Sequence, residues 1–429
     1  MFRLIVPIGA VLVGVALLLL GSGLLNTLLA VRGALEGYDD GMLGLIMSGY
    51  FLGFFVGTFL ALPVIGRVGH IRAFAMCAAI ASCSVLLHFL FIDPFVWLAL
   101  RVVTGAALVI LYTIIESWLN GQTSPEQRGR VFAIYMAVNL GSLALAQQLL
   151  RLDGAESFLL FAVATMLICI SLVPVTWTRF AQPEIHQLER MRFGRLRKIA
   201  PVAIAGAFLS GLAMGPFWGL APVYAGRIGL DSGGVAAFMS CAILGGALFQ
   251  YPIGRFSDTH DRRRVLAVIS AAAVFAAIIL WLSSGSQWLT LMAIAIYGGL
   301  AFAIYPIAVA NLLDHLEAKD ILPGGSALLL LHGIGAAVGP ALAGQLMALL
   351  GAQALPLYFV AMQLLLTFYA VRNMHSLKEE ELEHAAPFVP MVRTTPTALE
   401  MLPEDVLTDE QQNISDDDAH AATNRSPPH

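Results

Sequence analysis

The sequence predicts an all-α membrane protein in which twelve transmembrane helices form two pseudo-symmetric halves of six. Three observations predict this fold class. The composition is 58% hydrophobic and 12% charged, with a mean hydropathy of +0.80. A soluble domain with these values would expose very large apolar patches. Twelve apolar runs each approach the ~20 residues that a helix needs to cross about 30 Å of hydrocarbon. The basic stretch Arg179–Lys198 separates them into two sets of six.

Each apolar run is expected to be one helix, because a helix satisfies its backbone polar groups internally in hydrocarbon. The first half is predicted to span Leu4–Val31, Gly41–Pro63, Ile71–Phe91, Phe95–Leu119, Val131–Leu150 and Ser157–Thr178. The second half is predicted to span Ala200–Ala225, Gly234–Gly254, Val265–Leu282, Trp288–Leu313, Gly324–Leu350 and Leu355–Val371. The chain then divides into a half at 1–180, a basic linker at 181–199, a half at 200–372 and a tail at 373–429.

The distribution of Lys and Arg predicts the orientation, because these residues accumulate in cytoplasmic loops. Alternate connections carry most of them: Arg67, Arg72, Arg128, Arg130, Arg179, the linker cluster Arg190–Lys198, Arg255, Arg262, Arg263, Arg264 and Lys319. The opposite connections carry only Arg32, Arg151 and Arg227. We therefore expect a multi-pass protein of the cell (inner) membrane with both termini and the linker in the cytoplasm.

The tail differs from the rest in charge. Residues 376–429 hold three basic and twelve acidic residues, so residues 1–375 carry a net charge of +5 although the whole chain carries −4. Several prolines and few large apolar residues complete a composition typical of disorder. We predict a disordered cytoplasmic tail whose removal after His375 leaves folding and transport intact.

An internal repeat relates the two halves. Residues with matching spacings occur in corresponding spans of the two halves. Gly105 and Tyr112 match Gly298 and Tyr305, Gly141 and Gln147 match Gly339 and Gln345, and Pro63 to Arg67 matches Pro252 to Arg255. A duplicated six-helix unit explains the order of these matches.

Two further motifs are the loop after span eight, from Gly254 to Arg263 (GRFSDTHDRR), and the run Arg101-Val-Val-Thr-Gly105 in span four. Both resemble motifs of the major facilitator superfamily. Finer features are similar to the bacterial YcaD-like branch: Glu116-Ser-Trp-Leu-Asn120, Arg128-Gly-Arg130, Tyr305-Pro306 and the run from Gly333 to Pro340. The resemblance covers about residues 1–372 and leaves the tail outside. It implies two halves around a central cavity and secondary transport by alternating access.

The loop after span eight suggests a conformational latch. Asp258 could accept hydrogen bonds from the amino end of a neighbouring helix, where backbone N–H groups are exposed. Pseudo-symmetry places it near the start of span five, so Arg128 and Arg130 are its expected partners, with Arg262 and Arg263 beside it. Such a latch would hold the halves together in one access state. The alternative is that these are ordinary topology-setting loop charges. In the first half, Gly66 stands where the family usually has an acid.

Two charges lie within span four. Arg101 and Glu116 are fifteen residues apart, roughly 22 Å along a helix, so they cannot pair directly. Ionisable side chains in a bilayer are costly and point to function. Glu116 aligns with Val309 of the second half, so it could exchange a proton or pair with a cationic solute. Placement of both charges at the membrane interface is the alternative.

Other candidates for the solute or proton pathway are Asn26, Tyr112, Trp218, Tyr305 and His332. The resemblance implies that spans four, seven and ten line the cavity. His332 precedes a glycine-rich stretch and titrates near physiological pH. Hydrogen bonding between helices and simple packing are the alternatives for the whole set.

These observations favour a secondary active transporter of a small solute, acting as a monomer, with a slight lean to export and with proton coupling as an extension. We find no nucleotide-binding motif, no metal-ligand spacing and no cluster of catalytic side chains, so we expect no enzyme activity, no cofactor, no metal and no nucleic acid partner. Membrane lipid is the expected surrounding. The alternative is a membrane sensor or scaffold of transporter fold that signals through its acidic tail.

Overall fold

The computed structural model describes residues 2–177, 191–283, 285–374, 388–389, 391 and 395–401. Within that part, twelve helices are long and apolar enough to cross a membrane, which confirms the predicted fold class. The first half contains α1 (Phe2–Leu35), α2 (Asp40–Val68), α3 (His70–Leu90), α4 (Pro94–Gly121), α5 (Arg128–Gln148) and α6 (Phe158–Ile170). The short helix α7 (Leu172–Trp177) continues α6, and the two together form the sixth span. After the linker helix α8 (Phe193–Ile199), the second half contains α9 (Pro201–Arg227), α10 (Ser232–Asp258), α11 (Arg262–Leu282), α12 (Gln287–Leu313), α13 (Ala318–Leu350) and α14 (Ala354–Arg372).

The two ends of the helix bundle differ in their loops. The basic end carries the connections around residues 69, 122–127, 191–200, 259–261 and 314–317, and the far end carries those at 36–39, 91–93, 153–157, 228–231, 285–286 and 351–353. At the far end Asp39 caps α2 by accepting from the N–H of Met42 at 3.0 Å, and Asp231 caps α10 by accepting from Gly234 at 2.8 Å. Side-chain acceptors of this kind satisfy the first N–H groups of a helix.

Glycines allow the same close helix contact in both halves. A Cβ on Gly105 of α4 would lie 2.1 Å from the carbonyl oxygen of Tyr50 in α2. In the other half, a Cβ on Gly298 of α12 would lie 2.3 Å from the carbonyl oxygen of Ala242 in α10. Only a residue without Cβ permits such an approach. The pairing of Gly105 with Gly298 that the sequence predicts therefore has the same packing role in each half.

Direct contacts between the halves lie toward the far end. Hydrogen bonds join α5 to α10 and α2 to α13 there: Gln148 Nε2 to Ser240 Oγ at 2.6 Å, and Ala341 N–H to Ser48 Oγ at 3.0 Å. A Cβ on Gly44 of α2 would lie 2.3 Å from the carbonyl oxygen of Pro340 in α13. An ion pair joins Asp40 of α2 to Arg227 of α9 at 3.0 Å. Each of these residues lies within about three helical turns of the far end.

At the basic end, part of the tail packs against the helices. Pro396–Met401 forms a 3-10 helix, and Met391, Leu399 and Met401 are each at most 4% exposed. The expectation of a disordered tail is therefore wrong for this segment, because its apolar side chains find a cleft to bury in. The remaining tail, 375–387, 390, 392–394 and 402–429, and linker residues 178–190 lie outside the described residues.

Candidate functional site

A cavity of about 970 Å³, a volume that includes space open to solvent, lies between the halves on the basic-end side of those contacts. Seven aromatic side chains line it: Tyr50, Phe51, Phe54 and Phe55 from α2, Trp218 from α9, and Phe302 and Tyr305 from α12. Another side is supplied by α13 through Leu329, Leu330, His332, Gly333 and Ala336. A concave, mainly apolar space with few polar groups is the usual form of a small-molecule site.

His332 is the main polar feature of this wall. Its Nδ1 lies 3.0 Å from Ser210 Oγ and 3.2 Å from the carbonyl oxygen of Ala207. Because a carbonyl only accepts, the neutral ring carries its hydrogen on Nδ1 and keeps Nε2 as an acceptor. The ring centroid lies 4.4 Å from that of Tyr305. Trp218, Tyr305 and His332, which the sequence names separately, thus share one cavity.

Arg101 and Asn26 lie next to that cavity and connect the two halves. Arg101 Nη2 donates to Asn26 Oδ1 at 2.6 Å, and Asn26 Nδ2 donates to the carbonyl oxygen of Trp218 at 2.6 Å. The guanidinium carbon of Arg101 lies 4.6 Å from the ring centroid of Tyr50, within cation–π range. Arg101 is 1% exposed, so it lies inside the protein. Sequence reasoning missed Tyr50, which is one more aromatic residue in an apolar span.

Glu116 occupies a second site, nearer the basic end. It is fully buried, and its Oε1 accepts from Tyr135 OH at 3.1 Å. The tail supplies further donors: the N–H of Thr395 at 3.1 Å from Oε2, the hydroxyl of Thr395, and the hydroxyl of Thr397 at 3.2 Å. Tyr112 is also buried, with its ring 6.2 Å from that of Phe54. Neither Glu116 nor Tyr112 is among the residues that line the cavity.

The loop that contains Asp258 ties together helices of the second half. Arg262 Nε donates to Asp314 Oδ2 at 2.6 Å, and Arg262 Nη2 lies 3.4 Å from Asp258 Oδ1. Arg263 Nη2 lies 3.0 Å from His315 Nε2. Asp258 also accepts from the N–H of Phe388 in the tail at 2.8 Å. This loop therefore holds both its own half and the tail segment.

The predicted partners of Asp258 in the first half, Arg128 and Arg130, begin α5 at the same end. Within the described residues neither makes a hydrogen bond or ion pair with Asp258. The direct contacts between halves lie at the opposite end in this state. The latch between Asp258 and these arginines concerns the other access state and stays a prediction.

Comparison with known proteins places the chain in a family. The family model described as Major Facilitator Superfamily matches residues 11–229 and 203–402. The second match continues past the last span, so the sequence estimate that the resemblance ends near residue 372 is too short.

A relative is named "Uncharacterized MFS-type transporter YcaD", from Escherichia coli O139:H28 (strain E24377A / ETEC). It is 29% identical over 343 residues, covering 80% of this chain and 89% of the relative.

Solved transporter structures share the fold. The crystal structure of the nucleoside transporter NupG superposes with a TM-score of 0.72 at 14% identity, covering 86% of this chain and 99% of that chain. A bacterial homologue of the human lysosomal transporter Spinster, in an inward-facing and unoccupied conformation, gives a TM-score of 0.68 at 16% identity, covering 93% of this chain and 98% of that chain. At these identities the likeness is one of fold.

Proposed function

We propose, from the premise that this chain belongs to the Major Facilitator Superfamily, that the cavity between its halves is the solute site of a secondary transporter. The main support for this proposal is that residues of both halves line one cavity, while the direct contacts between the halves lie at the far end. A site between two halves can face either side of a membrane as the halves rock against each other. The protein is a multi-pass protein of the inner membrane, and its basic end faces the cytoplasm in this proposal.

The lining favours a small, largely apolar solute with a flat ring. Trp218, Phe302 and Tyr305 offer faces for stacking, and His332 offers one hydrogen-bonding group. Aromatic pairs gain energy beyond the burial of their area, which rewards a planar solute. Such a solute also partitions into membranes, so we retain the slight lean to export.

We further propose that transport of the solute is coupled to movement of protons. Glu116 is a buried carboxyl group in one half only, and its oxygens meet donors from α5 and the tail. A group in that position can change protonation when those donors leave. His332 is the second candidate, because it lines the cavity itself.

The sensor or scaffold alternative is not favoured, because the named relatives are transporters. One copy of the chain supplies both walls of the cavity, which supports action as a monomer.

A matched pair of threonines tests the proposal. Thr58 of α2 lines the cavity and its hydroxyl donates to the carbonyl of Phe54 at 2.9 Å. Thr165 of α6 makes the same bond to Phe161 at 2.8 Å and does not line the cavity. In proteoliposomes supplied with a panel of aromatic solutes, Thr58→Trp should abolish saturable flux, because the indole fills the cavity. Thr165→Trp should retain it. Equal flux in both variants, or no saturable flux of any solute in the parent, would overturn the proposal.

A further inference from the structure

We propose that the described part of the tail, residues 388–389, 391 and 395–401, is an intramolecular plug, which enters the cleft at the basic end, separates the two halves there and must leave before that end can close. The inference rests on the proposed function, since closure of the basic end belongs to alternating access.

The plug is anchored on the second half by two glycines. The ring of Phe388 lies against Gly254 of α10, where an added Cβ would come within 2.2 Å of Cδ1, and the N–H of Phe388 donates to Asp258 at 2.8 Å. Leu399 lies against Gly325 of α13, where an added Cβ would come within 2.7 Å of its Cδ1. At both places the absence of a glycine side chain makes room for an apolar tail residue.

The plug is anchored on the first half by Glu116. Thr395 and Thr397 bring two hydroxyls and one backbone N–H to its carboxyl oxygens, and Tyr135 supplies the remaining donor. A buried carboxyl group needs such partners, because an unsatisfied one is costly in an apolar span. The tail therefore supplies most of the hydrogen bonds that make the burial of Glu116 tolerable.

Between these anchors the plug reaches the solute cavity. Met391 is 4% exposed and is one of the cavity-lining residues. A plug held by α10 and α13 on one side and by α4 and α5 on the other lies between the surfaces that approach each other when the basic end closes. Phe388 of the plug also donates a hydrogen bond to Asp258. We predict that the same acid pairs with Arg128 and Arg130 when the basic end is closed. Docking of the plug and closure of the latch thus exclude each other.

The test is the accessibility of the cavity from the basic end, measured without any solute. We would place one cysteine at Thr58→Cys in a full-length background whose four native cysteines are replaced by alanine. A bulky maleimide applied from the basic end should label it about tenfold faster when Thr395→Ala and Thr397→Ala are both present, because hydrogen bonds to a carboxyl group are lost. Thr408→Ala with Thr423→Ala, in the same tail, is the matched control and should label at the parent rate.

Rescue and flux complete the test. A synthetic peptide of residues 387–402 should restore slow labelling to the Thr395→Ala, Thr397→Ala protein by occupying the vacated cleft. Solute flux through the same variant should rise, because the plug no longer opposes closure. Parent-like labelling in that variant would overturn the plug, and so would faster labelling accompanied by slower flux. If the plug exists but the proposed function is wrong, labelling of the Thr395→Ala, Thr397→Ala protein will still be faster than in the parent, while no solute will move in any variant.

Discussion

The two ends of the bundle hold the halves in different ways. At the far end helix meets helix: Gly44 and Gly344 let the backbones of α2 and α13 touch, and Gln148 and Ser240 join α5 to α10. At the basic end the connection between α4 and α13 runs through a peptide segment that belongs to neither half. Separation of the far end requires movement of whole helices, whereas separation of the basic end requires a short segment to detach. We infer that opening and closing at the basic end is controlled by attachment and detachment of this segment.

The largest effect should come from the far-end glycines. In Gly44→Ala the new Cβ would meet the carbonyl oxygen of Pro340 at 2.3 Å, and that carbonyl is backbone that cannot rotate away. Overpacking of this kind costs about 1–3 kcal/mol, so the thermal unfolding temperature of the purified protein should fall. Gly66→Ala in the same helix is the control, because nothing lies within 4 Å of its added Cβ. An equal fall in both variants would contradict the packing role of Gly44.

Glu116→Gln should produce the next largest effect, and at the basic end only. The amide keeps the shape but replaces one acceptor by an NH₂ group that faces the donors of Thr395. We expect about tenfold faster labelling from the basic end through loss of hydrogen bonds to the carboxyl group. A proton gradient should no longer accelerate flux, while solute exchange at equal pH continues.

The control for Glu116→Gln is Glu317→Gln, an exposed acid at the same end that pairs with Lys319. Gradient-driven flux at the parent rate in Glu116→Gln would move the proton role to His332 or remove it.

Asp258→Asn should have a smaller effect, again at the basic end. The amide oxygen can still accept from the N–H of Phe388, so the plug keeps that bond, but the charge that attracts Arg262, Arg128 and Arg130 is lost. Insertion should be normal, and cysteine accessibility from the two sides should show the basic end closed for a smaller share of the time. Glu126→Gln, an exposed acid of a basic-end loop, is the control. Unaltered accessibility and transport would make Asp258 an ordinary loop charge.

The smallest effect should come from the ion pairs. Asp40→Asn removes the pair with Arg227, whose side chain is 41% exposed, so solvent screens it and the loss is about 1 kcal/mol or less. Labelling of a far-end cysteine should rise slightly and respond to salt. Asp320→Asn is the matched variant at the basic end, where Arg195 of the linker helix lies 2.7 Å from Asp320. It should leave far-end labelling unchanged, and a rise equal to that of Asp40→Asn would remove the distinction between the two ends.

The plug shows that a composition averaged over a long segment hides a local pattern. Averaged over residues 376–429 the tail is strongly acidic, but the window 388–402 (FVPMVRTTPTALEML) holds one acid, one base and seven large apolar residues. A local reading of that window would have found apolar residues able to bury themselves. It would not have found the partner, because Thr395 and Glu116 are 279 residues apart in the chain.

The sequence by itself determined the twelve spans, the two halves and the recurrence of Gly105 as Gly298. Hydropathy and segment length decide which segments cross the bilayer, small residues decide where helices pack closely, and all three are local properties of the chain. The sequence also marked Arg101, Glu116 and His332, since ionisable groups are rare in such spans. Only the tertiary structure decided what these groups meet. Arg101 reaches the other half through Asn26, His332 faces the cavity with Tyr305, and Glu116 is satisfied by the tail. Hydrogen bonds depend on distances of a few tenths of an ångström between segments far apart in the chain, and no local pattern encodes those distances.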